Sequence, residues 1–211
     1  MSTLRVSPFP FPATDDAVGA VTTLLRSLGE DPSRPGLRGT PERVARSLDD
    51  LTAGSRRTPE EAVGGAIFAE DYAGLVMVKD IEFYSLCEHH MLPFFGRAHV
   101  GYLADGRVIG LSKLPRLVEV FARRLQVQER ITKQVAESPQ RVLEPRGVAV
   151  LLSAARFCIM MRGIEKQAAV TETSFFTGEF RDSAERRAEF LAAVRRDAPR
   201  RPESRVLDTL E

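Results

Sequence analysis

The hydrophobic period of this chain changes twice between residues 75 and 176, and that alternation limits the folds open to it. Residues 76–83, VMVKDIEF, are rich in β-forming side chains and lead into SLCEHHMLPFFG. RAHVGYL and RVIGL then flank Ala104-Asp105-Gly106, a hairpin signal. From residue 112 to 137 the spacing turns helical, with Leu114, Leu117, Val118, Phe121 and Leu125 on one stripe. Val127, Ile131 and Val135 continue out of phase, which predicts two helices or a kink near residues 124–126. Pro139 and Pro145 are expected to end or kink the helical region. Apolar strands resume at 147–154, 157–163 and 168–176. Antiparallel strands interrupted by one long helical unit predict an α+β fold.

Upstream, residues 1–14 read as a mobile Pro-rich arm and residues 15–74 as an N-terminal helical region. A first helix from Asp15 sets Val18, Val21, Leu24, Leu25 and Leu28 on one stripe. A second, with Thr40 as N-cap and Pro41 in the first turn, would point Val44, Leu48 and Leu51 inward. Residues 75–196 form the expected catalytic domain, closed by a helix that a capping box at Asp182 and Glu185 opens. The Arg/Pro-rich residues 197–211 read as a disordered tail.

Thirty basic against 29 acidic residues give a net charge of +1, which excludes a non-specific nucleic-acid coat. Four of the basic residues are Lys and the other 26 are Arg, the better bidentate phosphate binder. No apolar run approaches the roughly 20 residues of a membrane span. The first twenty residues also lack the apolar stretch of a signal peptide. The expectation is a cytoplasmic protein acting without membrane or nucleic acid.

The scarce residues carry the chemistry. The chain has two cysteines, Cys87 and Cys158, and three histidines, His89, His90 and His99. Cys87 and His90 are three apart, a spacing that lets thiolate and imidazole converge on one ion from a tight turn, and this donor pair favours Zn²⁺. Cys158 would make a third ligand and leave a position for water, as catalytic sites do. A bare Cys-x-x-His is as often a buried cysteine beside surface histidines, and a closed structural site using Glu88 or His89 stays open on these residues alone.

Three long segments, FYSLCEHHMLPFFGRAHVGYL, IGLSKLPRLVEVFARRLQVQERITKQ and CIMMRGIEKQ, with the upstream GLRGTPERVA, closely resemble the GTP cyclohydrolase I family. The resemblance runs from about residue 15 to residue 194. It implies a tunnelling fold, an antiparallel four-stranded sheet backed by two helices and preceded by a helical region. It also implies barrel-forming self-association, usually a homodecamer, with GTP bound between subunits.

By the same resemblance Cys87, His90 and Cys158 hold Zn²⁺, which activates water for attack on C8 of the purine, and His89 transfers protons. Glu129 corresponds to the carboxylate that accepts the N1–H and 2-amino group of guanine, with the backbone of Gln128 beside it. Ser112, Lys113, Arg116 and Arg162 correspond to residues that hold the ribose triphosphate. Arg43 and Arg46 correspond to phosphate contacts donated by a neighbouring subunit.

One position departs from the family pattern. Arg156 stands where the family carries a second acid/base histidine, two residues before its second cysteine. Arg stays charged at every working pH and cannot shuttle protons. The sequence therefore predicts that hydration and opening of the imidazole ring survive, while later proton transfers slow and a formamidopyrimidine nucleotide becomes the product. The alternatives are the ordinary reaction, giving formate and 7,8-dihydroneopterin triphosphate, and an inactive paralogue that binds guanine nucleotide.

Overall fold

The computed structural model describes residues 15–196. The Pro-rich arm (1–14) and the tail (197–211) lie outside the described residues.

Two helices lead the chain, α1 (Asp15–Ser27) and α2 (Thr40–Thr52), followed by a 3₁₀ turn (Ala53–Arg56) and the short α3 (Pro59–Val63). The α1 stripe is only partly covered. Val21 is buried, but Leu24 and Leu28 stay 57% and 70% exposed. In α2 it is Pro41 and Ala45 that are buried, while Val44, Leu48 and Leu51 are half-buried. Thr40 is already helical and Gly39 takes the cap position, with no side-chain cap bond. Thr58 and Glu61 form a reciprocal capping box on α3 that the sequence reading missed.

The strands follow as β1 (Ile67–Ala69), β2 (Leu75–Cys87), β3 (Pro93–Leu103) and β4 (Arg107–Ile109). The hairpin expected around Ala104-Asp105-Gly106 does not form, because β4 pairs with β1, Ile67 opposite Ile109, in a separate two-stranded sheet. Next come α4 (Lys113–Ala122), β5 (Leu125–Gln126) and α5 (Gln128–Val142). The phase slip is thus real: two helices are separated by a two-residue strand, and Leu125 belongs to that strand, 43% exposed. Pro139 sits inside α5 without ending it, since Leu143 N–H still bonds Pro139 O at 2.9 Å.

The chain then forms β6 (Gly147–Arg156), α6 (Phe157–Met160), β7 (Thr171–Phe176), α7 (Gly178–Asp182) and α8 (Ala184–Arg195). Residues 157–160 are helical rather than a strand, and the α8 N-cap is Ser183, one residue beyond the predicted Asp182.

The main sheet has five strands in the order β5-β2-β3-β6-β7. Four are antiparallel neighbours, and the added β5 runs parallel to β2 through Leu86–Leu125 and Cys87–Gln126. Strand alternation splits β6 between two cores. Val148, Val150, Leu152 and Ala154 join Leu114, Leu117, Phe121, Ile131 and Val135 of α4 and α5. Ala149 packs on the other face with Phe180, Phe190 and Val194 of α7 and α8, where Leu151 also lies. The architecture is α+β, a curled sheet with helices on it, consistent with the tunnelling fold. No helix among the described residues is long and apolar enough to cross a membrane.

Candidate metal centre

Three elements meet at one corner of the sheet: the end of β2, the start of α5 and the end of β6. After β2 the chain turns sharply, with the N–H groups of His90 and Met91 both bonding Cys87 O and Met91 in the left-handed region at φ 55°. The turn closes when Cys87 N–H bonds Leu92 O at 2.9 Å. These bonds bring the imidazoles of residues 89 and 90 back over the Cys87 sulfur, which is buried.

The Cys87 sulfur lies 3.8 Å from His90 Nδ1. Ligand atoms of Cys87, His90 and Cys158 all fall within 4.8 Å of one another. A tetrahedral ion with bonds of about 2.0–2.3 Å needs donors roughly 3.5–3.8 Å apart, so the triad fits with only a small contraction. Two thiolates and an imidazole are a donor set that suits zinc, and the set leaves room for a non-protein ligand. Burial, and after it the neighbouring Cys87 sulfur, push the Cys158 thiol up from its ordinary value. A divalent cation reverses that preference by favouring the thiolates.

His89 Nδ1 is 4.0 Å from the same sulfur, and its exposed ring stands edge-on to His90 with centroids 6.3 Å apart. Arg162 Nη1 donates to His90 Nε2 at 3.0 Å. A guanidinium can only donate, so a metal taking Nδ1, which moves the ring proton to Nε2, obliges Arg162 to withdraw.

Glu88, weighed from the sequence only as an alternative metal ligand, instead pairs with Arg130, which no sequence feature singles out, and the two join the turn to α5. Arg130 donates to both Glu88 oxygens, at 2.5 and 3.1 Å, and this hydrogen bonding holds the Glu88 carboxyl below its usual range. Glu88 N–H also bonds Gln126 O at 3.0 Å. No local sequence signal marks the pair, since its members are 42 residues apart. The α5 N-terminus is thereby fixed beside the cysteine turn. Glu129 is exposed there, whereas Gln128 is fully buried and its side-chain amide donates to Leu152 O and Thr171 O, tying α5 to β6 and β7.

Arg156, the last residue of β6, lies opposite Phe94 in the ladder, with its guanidinium carbon 5.0 Å from the centre of that ring. Ser112 precedes α4 without making a side-chain cap bond; in the first turn the Lys113 N–H bonds Gly110 O at 2.8 Å, Pro115 has no N–H, and the Arg116 side chain is exposed while Lys113 is half-buried. Arg43 and Arg46 are exposed on α2, and Arg43 Nη2 donates to Thr40 Oγ1 at 3.2 Å. Among the described residues no hydrogen bond or ion pair links Ser112, Lys113, Arg116, Arg43 or Arg46 to the cysteine–histidine cluster.

A family model described as GTP cyclohydrolase I matches residues 17–195 of the chain. A protein named GTP cyclohydrolase 1 from Chlorobaculum tepidum is 58% identical over 175 residues, covering 83% of this chain and 78% of its own. The protein of the same name from Gloeobacter violaceus is 53% identical over 184 residues, covering 87% and 86%. One named GTP cyclohydrolase 1 2 from Pseudomonas syringae pv. tomato is 51% identical, covering 82% and 96%.

Proposed function

The chain belongs to the GTP cyclohydrolase I family, and we propose that it converts GTP and water to formate and 7,8-dihydroneopterin triphosphate. The observation that carries this reading is the convergence of Cys87, His90 and Cys158 within 4.8 Å beside His89. The relatives' shared name favours this complete reaction over the truncated one that Arg156 suggests from sequence.

Cys87, His90 and Cys158 would hold a Zn²⁺ ion. Such an ion supplies Lewis-acid activation of water for attack at C8 of the purine. His89, exposed and outside the ligand triad, delivers and removes protons at the ring nitrogens as the C8–N bonds break. Glu129 accepts from guanine N1–H and the 2-amino group, a donor pair that adenine lacks. Gln128 spends its side chain on β6 and β7, which leaves its backbone for the base. Lys113, Arg116 and Arg162 neutralise the triphosphate, and the Ser112 hydroxyl donates a hydrogen bond to it.

Arg43 and Arg46 would complete the phosphate site from a neighbouring subunit of a homodecamer. The exposed Leu24 and Leu28 on α1 support self-association.

A second reading stops at the formamidopyrimidine nucleotide, and one observation favours it: a permanently charged guanidinium packs on Phe94 two residues before Cys158. Product analysis by mass spectrometry, wild type beside Arg156→His, separates the readings. Formate and a fluorescent pterin from wild-type protein are expected. A ring-opened formamide accumulating from wild type, with pterin restored in R156H, would establish the second reading, and GTP returned unchanged would overturn both.

A further inference from the structure

We propose that Arg156 is a small-anion subsite beside the cysteine–histidine triad, and that it takes the carboxylate of the one-carbon acid cut from C8. The identity of the anion rests on the C8-opening reading above; the uncompensated cation is a feature of the fold itself.

The even-numbered residues of β6, from Val148 to Ala154, are apolar and buried against α4 and α5. Arg156 continues that face one pleat further and meets the fully buried Phe94. Its Nε is buried with no hydrogen-bond partner. No hydrogen bond or ion pair among the described residues engages the rest of the guanidinium. Other arginines of the chain do find carboxylates, as Arg56 finds Asp49 and Arg123 finds Glu119.

A half-buried guanidinium with an unspent donor calls for an anion, because a lone cation out of water is costly and the ring of Phe94 offers only a weak π contact. The triad does not provide that anion once loaded, since two thiolates neutralise one divalent ion. The planar fork of Arg matches a carboxylate. Triphosphate is a poorer candidate, because Lys113, Arg116 and Arg162 already serve it.

Arg156 lies two residues before Cys158 in the chain, so formate cut from C8 at the triad would arise beside it. When water adds to the formyl carbon of the opened ring, the C–N bond breaks and the nitrogen takes a proton. The acid gives its other proton to solvent and leaves as HCOO⁻. Holding that anion draws it away from the amine that must close the next ring.

The test needs no GTP. Co²⁺-loaded protein is titrated with ¹³C-formate, and the paramagnetic broadening of the formate signal is followed in wild type, Arg156→Gln and Arg156→Lys. Inorganic tripolyphosphate is titrated in parallel by calorimetry. Losing a charge-assisted bond should weaken formate binding about tenfold to a hundredfold in R156Q, with R156K in between and tripolyphosphate little changed. Equal Co²⁺ content and circular dichroism in the three proteins exclude misfolding as the cause. Formate binding as tight in R156Q as in wild type, or a loss confined to tripolyphosphate, overturns the subsite. Formate release from GTP, scored separately, bears on the catalytic reading alone.

Discussion

Arg130 grips both carboxylate oxygens of Glu88, so the turn that carries Cys87 and His90 is bolted to the first turn of α5. The pair is partly solvent-exposed, with side chains 45% and 30% accessible, and its contribution to stability should stay within about 1 kcal/mol. Its effect on alignment is larger, because it sets the distance between the Cys87–His90 turn and Glu129. Glu88→Gln or Arg130→Met should lower kcat/KM about ten- to a hundredfold with metal content unchanged. The charge-swapped double variant E88R/R130E should recover part of the loss. Steady-state kinetics beside metal analysis check this. The pH sign also follows: Arg130 holds the Glu88 carboxyl below its ordinary range, so the pair's contribution is present above about pH 4.5 and fades as pH falls through the lowered value.

Cys158→Ser should abolish retention of metal after dialysis while leaving far-UV circular dichroism intact, since Cys158 is only half-buried. His89→Asn should keep the metal and lose about a hundredfold to ten-thousandfold in kcat. Elemental analysis of the two variants distinguishes a ligand from a proton carrier. If H89N also loses the ion, His89 is a ligand instead.

His99 is buried on β3, and its Nδ1 accepts the N–H of Asp80 at 3.2 Å, in a bulge where Asp80 adopts φ 55°. Burial is the main cause that lowers its pKa, with Lys79 and Arg97 adding to it and Asp80 and Glu172 opposing. The unfolded chain therefore binds the proton more readily, and folding stability should fall as pH drops below about 6.5. Protonation also removes the acceptor that the Asp80 N–H uses. His99→Asn keeps an acceptor but cannot titrate, so its melting temperature should fall less between pH 7.5 and 5.5 than that of wild type. Scanning calorimetry at the two values checks this.

Gly54 joins the N-terminal helical region to α4. Its N–H bonds Arg123 O at 2.9 Å, its carbonyl accepts from Arg124 Nη2 at 2.8 Å, and a Cβ would meet Val120 O at 2.5 Å. Those obstacles are backbone atoms that cannot step aside. Gly54→Ala should cost about 1–3 kcal/mol and lower the melting temperature by several degrees. A melting temperature equal to wild type would mean that the 3₁₀ turn moves off the α4 carbonyls without cost.

The legible parts of the fold were those written in local spacing. The cysteine–histidine cluster could be read because thiolate and imidazole three residues apart have a shared chemistry, and the phase slip at residues 124–126 marked the break between α4 and α5. Pairing between distant segments was not legible. β4 leaves its neighbour β3 for β1, and Glu88 finds Arg130, through backbone geometry that no short window records. The apolar run at 157–160 read as a strand because four residues cannot show a helical period. Leu24 and Leu28 looked like core residues because an apolar stripe does not say what covers it.

The two-residue strand β5 has a bearing on how the gene can vary in length. Its parallel rungs, Leu86 to Leu125 and Cys87 to Gln126, seat Gln128 and Glu129 two and three residues beyond β5, beside the strand that ends in the Cys87 thiol. Deleting or inserting one residue between 123 and 127 would shift the helix start by about 3.3 Å and turn each strand side chain to the opposite face. Such an indel would leave the sulfurs and imidazole in place yet part them from Gln128 and Glu129. The connector between α4 and α5 is therefore the segment of this chain least able to absorb a change in length.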